Sequence, residues 1–289
     1  MPPEDFLTGP AALAAIEAVS AAAAASDGAE PLDEAALLRL RHHGLDGAQA
    51  WVLADGFALR RDRELDLVVA PAARGAGLGG RLADLAVAAP GELTAWSHGD
   101  DPAARALGER RGFGRDRELW VMRRPTAVPL PGLAVPDGVT IRDYGDGDAD
   151  SLLAVNAAAF ATHPEQGALD RAGLAERMAE PWFDPAGLLL AVDPDGTLLG
   201  FHWTKQHDAA TGEVYVVGIA PEAQGRGLGR VLTLAGLHHL AARGVAEVIL
   251  YVESDNAPAR RLYDGLGFTH APADTHVQYR RAHSVEHSA

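Results

Sequence analysis

Apolar positions along this chain switch between a two-residue and a three-to-four-residue rhythm, and the switches recur in similar order in each half. In the C-terminal half, residues 139–144 alternate as a strand, and 149–160 and 169–180 carry apolar positions at helical spacing. Residues 188–192 and 198–205 flank Asp193-Pro194-Asp195-Gly196, which predicts a hairpin. The next strand is predicted at 213–219. A glycine-rich stretch follows, then a helix over 228–243, a buried strand at 247–252, a short proline-led helix at 258–266 and a weak strand at 277–281. In the N-terminal half, 10–25 and 33–42 predict helices and 49–54, 57–60 and 65–69 predict strands. A helix at 78–88, a strand at 93–96, a helix at 102–111 and a strand at 118–123 complete it.

The glycine stretches are Arg74-Gly75-Ala76-Gly77-Leu78-Gly79 and Gln224-Gly225-Arg226-Gly227-Leu228-Gly229, 150 positions apart. Each follows a strand closed by proline, Pro71 and Pro221, and each precedes a helix. Gly112-Phe113 answers Gly267-Phe268 at an offset of 155. Such an ordered series predicts an internal duplication. Glycines let backbone N–H groups approach a ligand, and a helix start adds unpaired donors and positive dipole, so either turn suits a pyrophosphate. Pro125, Pro129, Pro131 and Pro136 mark a boundary. The expected domains are 1–126 and 139–289, joined by a linker at 127–138.

A chain of 289 residues, 47% hydrophobic, is long enough for two cores. The net charge of −15 argues against a general nucleic-acid binder. It fits a small, even cationic, substrate, and acidity for solubility explains it equally well. The absence of cysteine excludes disulfides, thiolate zinc sites and cysteine nucleophiles. The twelve histidines are scattered; His42-His43 and His238-His239 lack metal-ligand spacing, so no metal is expected. The run from Ala21 to Ala25 is too short to span a bilayer, and Glu4, Asp5 and Glu17 do not suit a signal peptide. The expectation is a cytoplasmic monomer with no membrane or nucleic-acid partner.

Taken together, Ile219-Ala220-Pro221, the Gln-x-x-Gly-x-Gly stretch, Asn256, Tyr263 and Leu266-Gly267-Phe268 resemble the GCN5-related N-acetyltransferase family. The resemblance implies an α/β fold with a mixed (α+β) sheet, here as two tandem acetyltransferase domains, and acetyl-CoA as co-substrate. It also implies that Val217, Gly218 and Ile219 line the pantetheine arm. The pyrophosphate would be held by Gln224, Gly225, Arg226, Gly227, Leu228, Gly229 and Arg230, with Asn256, Ala257, Pro258, Ala259, Arg260 and Arg261 bordering the cofactor. In the first half, Leu67, Val68, Val69, Gly75, Ala76, Gly77, Leu78, Gly79 and Gly80 would form a second such site, the alternative being that this half only shapes the substrate cleft. Ala76 stands there in place of Arg226, which removes one phosphate contact.

The segments His163-Pro164-Glu165-Gln166-Gly167, Glu180-Pro181-Trp182-Phe183-Asp184-Pro185, Gly200-Phe201-His202-Trp203-Thr204-Lys205 and Leu250-Tyr251-Val252-Glu253-Ser254-Asp255-Asn256 further resemble the mycothiol synthase family. That resemblance implies N-acetylation of the cysteinyl amine of a cysteine–glucosamine–inositol conjugate. It points to Glu34, Glu165, Lys205, Glu213 and Tyr251 as acceptor-binding residues. Because Glu34 belongs to the first half, the acceptor is expected between the domains. A different amino-sugar or peptide amine remains an alternative, as does a non-catalytic acyl-CoA sensor.

Transfer from a thioester to an amine needs a base for the ammonium, donors for the oxyanion and a proton for the thiolate. From residues alone, Glu213 reads most simply as a solvated carboxylate at a strand end, and Tyr263 equally as a core aromatic or a proton donor. The resemblance implies that Glu213 is the base and Tyr263 the acid. Glu253 is a second candidate base, though strand termination and helix capping explain its surroundings. At the same offsets the first half has Arg63 and Gly108, and Glu64 is one position off, which in a strand points to the opposite face. The first half is therefore expected to be catalytically silent.

Overall fold

The computed structural model describes residues 6–161 and 164–282. It opens with α1 (Gly9–Asp27) and α2 (Glu34–His43). Asp33 caps α2, its carboxylate accepting from Ala36 N at 2.7 Å, and Glu34 in the first turn complements the helix dipole. Strands β1 (Gln49–Leu53), β2 (Gly56–Arg61) and β3 (Glu64–Val69) then form an antiparallel meander in unbroken register. After it come α3 (Leu78–Ala88), β4 (Leu93–Ser97), α4 (Pro102–Glu109) and β5 (Gly114–Pro125). Asp101 caps α4 by accepting from Ala103 N and Ala104 N, both at 2.8 Å.

The remaining elements are β6 (Thr140–Asp143), α5 (Ala149–Ala159), α6 (Pro164–Gly167), α7 (Arg171–Met178), β7 (Leu188–Val192), β8 (Leu198–Gln206) and β9 (Thr211–Ile219). They are followed by α8 (Leu228–Ala242), β10 (Glu247–Glu253), α9 (Ala257–Asp264) and β11 (Thr269–Arg281). The β7–β8 turn forms as its sequence predicts: Asp193 accepts from Asp195 N and Thr197 N, and Gly196 takes a φ of +85°.

The chain folds as two units whose limits differ from the sequence boundaries at 126 and 139. One comprises Met1–Leu119 with Pro272–Ala289, the other Trp120–Ala271. Each unit therefore takes the end of a strand from the other half of the sequence. Tyr279 of β11 is buried with Leu65, Leu93 and Phe113 of the first unit, and its hydroxyl donates to Asp100 at 2.9 Å. Met122 of β5 is buried with Val214, Leu250 and Phe268 of the second. The weak strand expected at 277–281 is thus part of one 13-residue strand. Pro272 in its middle demotes it in sequence, because proline removes a ladder donor.

The proline segment expected to be a linker is bonded along the second unit. Thr126 N donates to Ala246 O at 2.9 Å, and His238 Nε2 bonds Pro131 O at 2.9 Å. Arg124, only 1% exposed, donates to the carbonyls of Leu266, Val128 and Pro129 at 2.8, 2.7 and 3.2 Å.

In the first unit α1 buries Ala12, Ile16, Val19 and Ala23 against Val52, Phe57, Leu59 and Val68. The alanine run judged too short to cross a bilayer belongs to this 19-residue helix, which is long and apolar enough to do so. Its buried stripe, Ala12, Ile16, Val19, Ser20 and Ala23, packs in the unit's core, each large side chain contributing about 1.5–3 kcal/mol.

In the second unit β10, β9, β8, β7 and β6 lie side by side in that order, with β10 and β9 the parallel pair. Helix α8 covers one face, where a side chain at Gly236 would collide with the His202 ring. His202 is fully buried, and its Nδ1 lies 2.8 Å from Leu232 O. Alternation therefore sends Trp203 and Lys205 to the opposite face.

Candidate active site

Strand β9 ends at Ile219, a 3₁₀ turn spans Pro221–Ala223, and α8 begins after Gly227. Gly225 and Gly227 have φ of +77° and +79°, a conformation that favours glycine, and nothing lies within 4 Å of a Cβ at either position. No side chain caps α8, so the first-turn N–H groups of Leu228, Gly229 and Arg230 face the open loop. This is the geometry that receives a phosphate. The residues present fit the pyrophosphate of acetyl-CoA.

Upstream of the loop, β9 and β10 pair from Thr211–Glu247 to Val214–Leu250. Beyond that register β9 continues to Ile219 along β8, with Val217 opposite His202, Gly218 opposite Phe201 and Ile219 opposite Gly200. Asn256 caps α9, accepting from Ala259 N at 3.2 Å. Arg260 donates to Ser254 O at 2.6 Å and stacks 4.1 Å from the Trp120 ring centroid, so its guanidinium is engaged within the protein. Ala257, Pro258 and Arg261 are exposed, and Ala259 is half-buried.

Across the sheet Glu213 stands opposite Lys205 on β8 and beside Ile249 on β10, on the face away from α8. Its side chain is 7% exposed, and Oε2 lies 2.6 Å from His207 Nε2. Tyr251, two residues past Ile249, projects from that same face and is 42% exposed. The Lys205 ammonium lies 4.9 Å from the Trp182 ring centroid and 5.4 Å from that of Tyr215. These cation–π contacts orient a charge that otherwise swings on four carbons. Tyr215 is held in turn by Arg177, whose Nε donates to Oη at 3.0 Å.

A β-bulge makes this arrangement possible. The β8–β9 register passes from Trp203–Val216 to Thr204–Val214, leaving Tyr215 extra in the strand. Lys205, Glu213 and Tyr251 are thereby brought to one face. Glu34 stands in the first unit on α2, and Glu165 lies in α6 with its side chain outside the described residues. Glu253 ends β10.

Tyr263 lies on α9 and packs against the core that includes Val214, Leu250 and Phe268, its ring centroid 5.9 Å from that of Phe268. Burial pushes its hydroxyl up to about 12, so it carries its proton throughout the neutral range. Among the described residues no group of three or more histidines and carboxylates could hold a metal.

The model for acetyltransferases of the GNAT family matches residues 155–268. A mycothiol acetyltransferase from Nocardioides is 62% identical, over 93% of this chain and 97% of its own length. One from Nocardia farcinica is 50% identical, over 92% of each chain. The chain belongs to the mycothiol acetyltransferase family. Among solved structures, a GCN5-related N-acetyltransferase from Sphaerobacter thermophilus is 26% identical with a TM-score of 0.68, covering 96% of each chain. A tandem GNAT protein from the clavulanic acid biosynthesis pathway is 19% identical with a TM-score of 0.68, covering 93% of this chain and 94% of its own. The mixed-sheet GNAT fold and an acetyl-CoA-dependent N-acetyltransferase activity follow for this mycothiol acetyltransferase family member.

The first unit repeats the loop but not its surroundings. Gly75 and Gly77 have φ of +78° and +85°, and α3 likewise lacks a side-chain cap. Arg74, where the second unit has Gln224, forms a two-bond pair with Asp27 at 2.8 and 2.7 Å. Its Nε also donates to Val69 O at 3.1 Å, and Gly80 O accepts from Arg111. Gly108 does occupy the place of Tyr263: Phe113 N donates to Gly108 O just as Phe268 N donates to Tyr263 O, both at 3.1 Å.

The expectation that Arg63 replaces Glu213, with Glu64 on the wrong face, is corrected. Strand β3 has no bulge, so counting back from Val69 and Ile219 puts Glu64 opposite Arg61 where Glu213 is opposite Lys205. Arg63 instead sits in the β2–β3 turn, its side chain 74% exposed and 3.1 Å from Glu92. Arg61 lies 3.2 Å from Glu64 and 2.7 Å from Asp66. The reading from residues also missed His207. Its signal was the short Asp208-Ala209-Ala210 turn, which places a histidine just past the end of β8, diagonal to Glu213.

Proposed function

We propose that this chain transfers the acetyl group of acetyl-CoA directly to the cysteinyl amine of a cysteine–glucosamine–inositol conjugate, the final step of mycothiol formation, in the cytoplasm. The observation that carries the residue assignment is a buried carboxylate, Glu213, opposite the cation Lys205 on the strand that runs into the open glycine loop.

Glu213 takes a proton from the acceptor ammonium, through water, and the freed amine adds to the thioester carbonyl. Backbone N–H groups of Val217–Ile219 are the donors for the developing oxyanion. As the carbon–sulfur bond breaks, Tyr263 gives its proton to the leaving thiolate and recovers one from the new amide nitrogen. One proton is released per turnover and no enzyme nucleophile takes part. Lys205 and Tyr251 donate to acceptor oxygens, while Glu165 accepts from its hydroxyl groups or ammonium.

The first unit is the silent member of the tandem pair. Gly108 supplies no proton, and Glu64 is paired with Arg61 at 3.2 Å. Leu67–Val69 and Gly75–Gly80 keep the shape of a cofactor site without the chemistry.

Incubation with acetyl-CoA and a panel of amines, following release of free thiol, tests the reading. Turnover greatest with the cysteinyl amino-sugar conjugate is expected. No acetylation of that compound, with turnover of another amine, would replace the acceptor while leaving the fold assignment intact.

A further inference from the structure

We infer that His207 is a positioning residue for acetyl transfer, holding the Glu213 carboxylate in the orientation that a base requires; this rests on the reading of Glu213 as base. The hairpin builds the contact. Asp208 accepts from Ala210 N at 2.7 Å and Thr211 N at 2.8 Å, and His207 N donates to Thr211 O at 2.9 Å. The tight turn leaves His207 little freedom about its backbone. Its ring meets Glu213 at 2.6 Å, the range of a charge-assisted hydrogen bond.

The two partners differ in exposure. Glu213 is 7% exposed and His207 34% exposed. A buried carboxylate needs a hydrogen-bond donor to satisfy and fix it, and the His207 ring is placed to supply one. With Nε2–H donated to Oε2, Oε1 is left for the water that relays the ammonium proton. The other ring nitrogen belongs to the more exposed partner, so the tautomer that keeps this bond can be restored by solvent. The charged and titratable groups facing the pair are Lys205 opposite Glu213, Asp208 in the turn, and Glu247 and Tyr251 on the same face of β10. Arg177 of α7 reaches that face through Tyr215.

The test compares His207→Ala and His207→Gln with Glu213→Gln and the double variant Glu213→Gln/His207→Ala. His207→Ala should lower kcat on the order of tenfold to a hundredfold, with acetyl-CoA affinity unchanged. Glutamine, which keeps an N–H donor, should recover most of the lost kcat. In the Glu213→Gln background the His207→Ala change should add less than twofold. A wild-type kcat in His207→Ala, or full additivity in the double variant, would overturn the inference. Wild-type turnover in Glu213→Gln would instead overturn the base itself, and unchanged acetyl-CoA binding shows that the variants are folded.

Discussion

Glu64 in the first unit and Glu213 in the second occupy the same register position, each opposite a cation, Arg61 and Lys205 respectively. What separates them is environment. Glu213 is buried beside histidine at an aromatic-lined face, whereas Glu64 is 43% exposed and shares Arg61 with Asp66. The two halves share a carboxylate at this register position and differ in the side chains around it.

That relationship predicts an asymmetry between two identical substitutions. Glu64→Gln should leave kcat within twofold of wild type in the acetyl-transfer assay, because the carboxylate it removes is committed to Arg61. A loss of tenfold or more, in a variant with an unchanged melting temperature, would place chemistry in the first unit.

Lys205 is the only lysine in the chain, which makes it a selective probe. Reductive methylation with ¹³C-formaldehyde should give one side-chain dimethyl resonance besides that of the N-terminus, shifted upfield by the Trp182 and Tyr215 rings. Adding the acceptor should move this resonance, and acetyl-CoA alone should move it less. Lys205→Met should raise the acceptor KM at least tenfold.

His202 predicts an acid-sensitive fold. Burial lowers its pKa from 6.5 to about 4, with the Leu232 carbonyl opposing part of the shift. The unfolded chain therefore binds the extra proton first. The stabilisation is fully present above pH 6.5 and is lost as pH falls toward 4, an effect of about 3 kcal/mol at its limit. Urea unfolding between pH 4 and 7 should show a shallower loss for His202→Gln than for wild type.

Arg124 predicts a stability effect without a catalytic one. Replacing it with methionine leaves the carbonyls of Leu266, Val128 and Pro129 without this donor. The expected loss is about 3 kcal/mol, read as a lower urea midpoint with kcat per folded molecule unchanged.

Much of this architecture was legible in residue order. Both glycine loops, the helices they open and the β7–β8 turn follow local rules that act over a few residues. The exchange of strand ends was not legible, since Pro272 breaks the apparent pattern of β11 and pairing partners are set by the tertiary fold. Nor was the bulge at Tyr215, because aromatic residues suit regular and bulged strands alike. That one extra residue concealed the equivalence of Glu64 and Glu213. His207 was overlooked for a related reason: its partner is six residues away, and only the strand register brings the two side chains together.

The most direct test of Glu213 as base is steady-state kinetics of Glu213→Gln beside calorimetric titration with acetyl-CoA. Loss of kcat by a factor on the order of a hundred or more is predicted, with acetyl-CoA affinity nearly unchanged. Wild-type turnover in that variant would contradict the account.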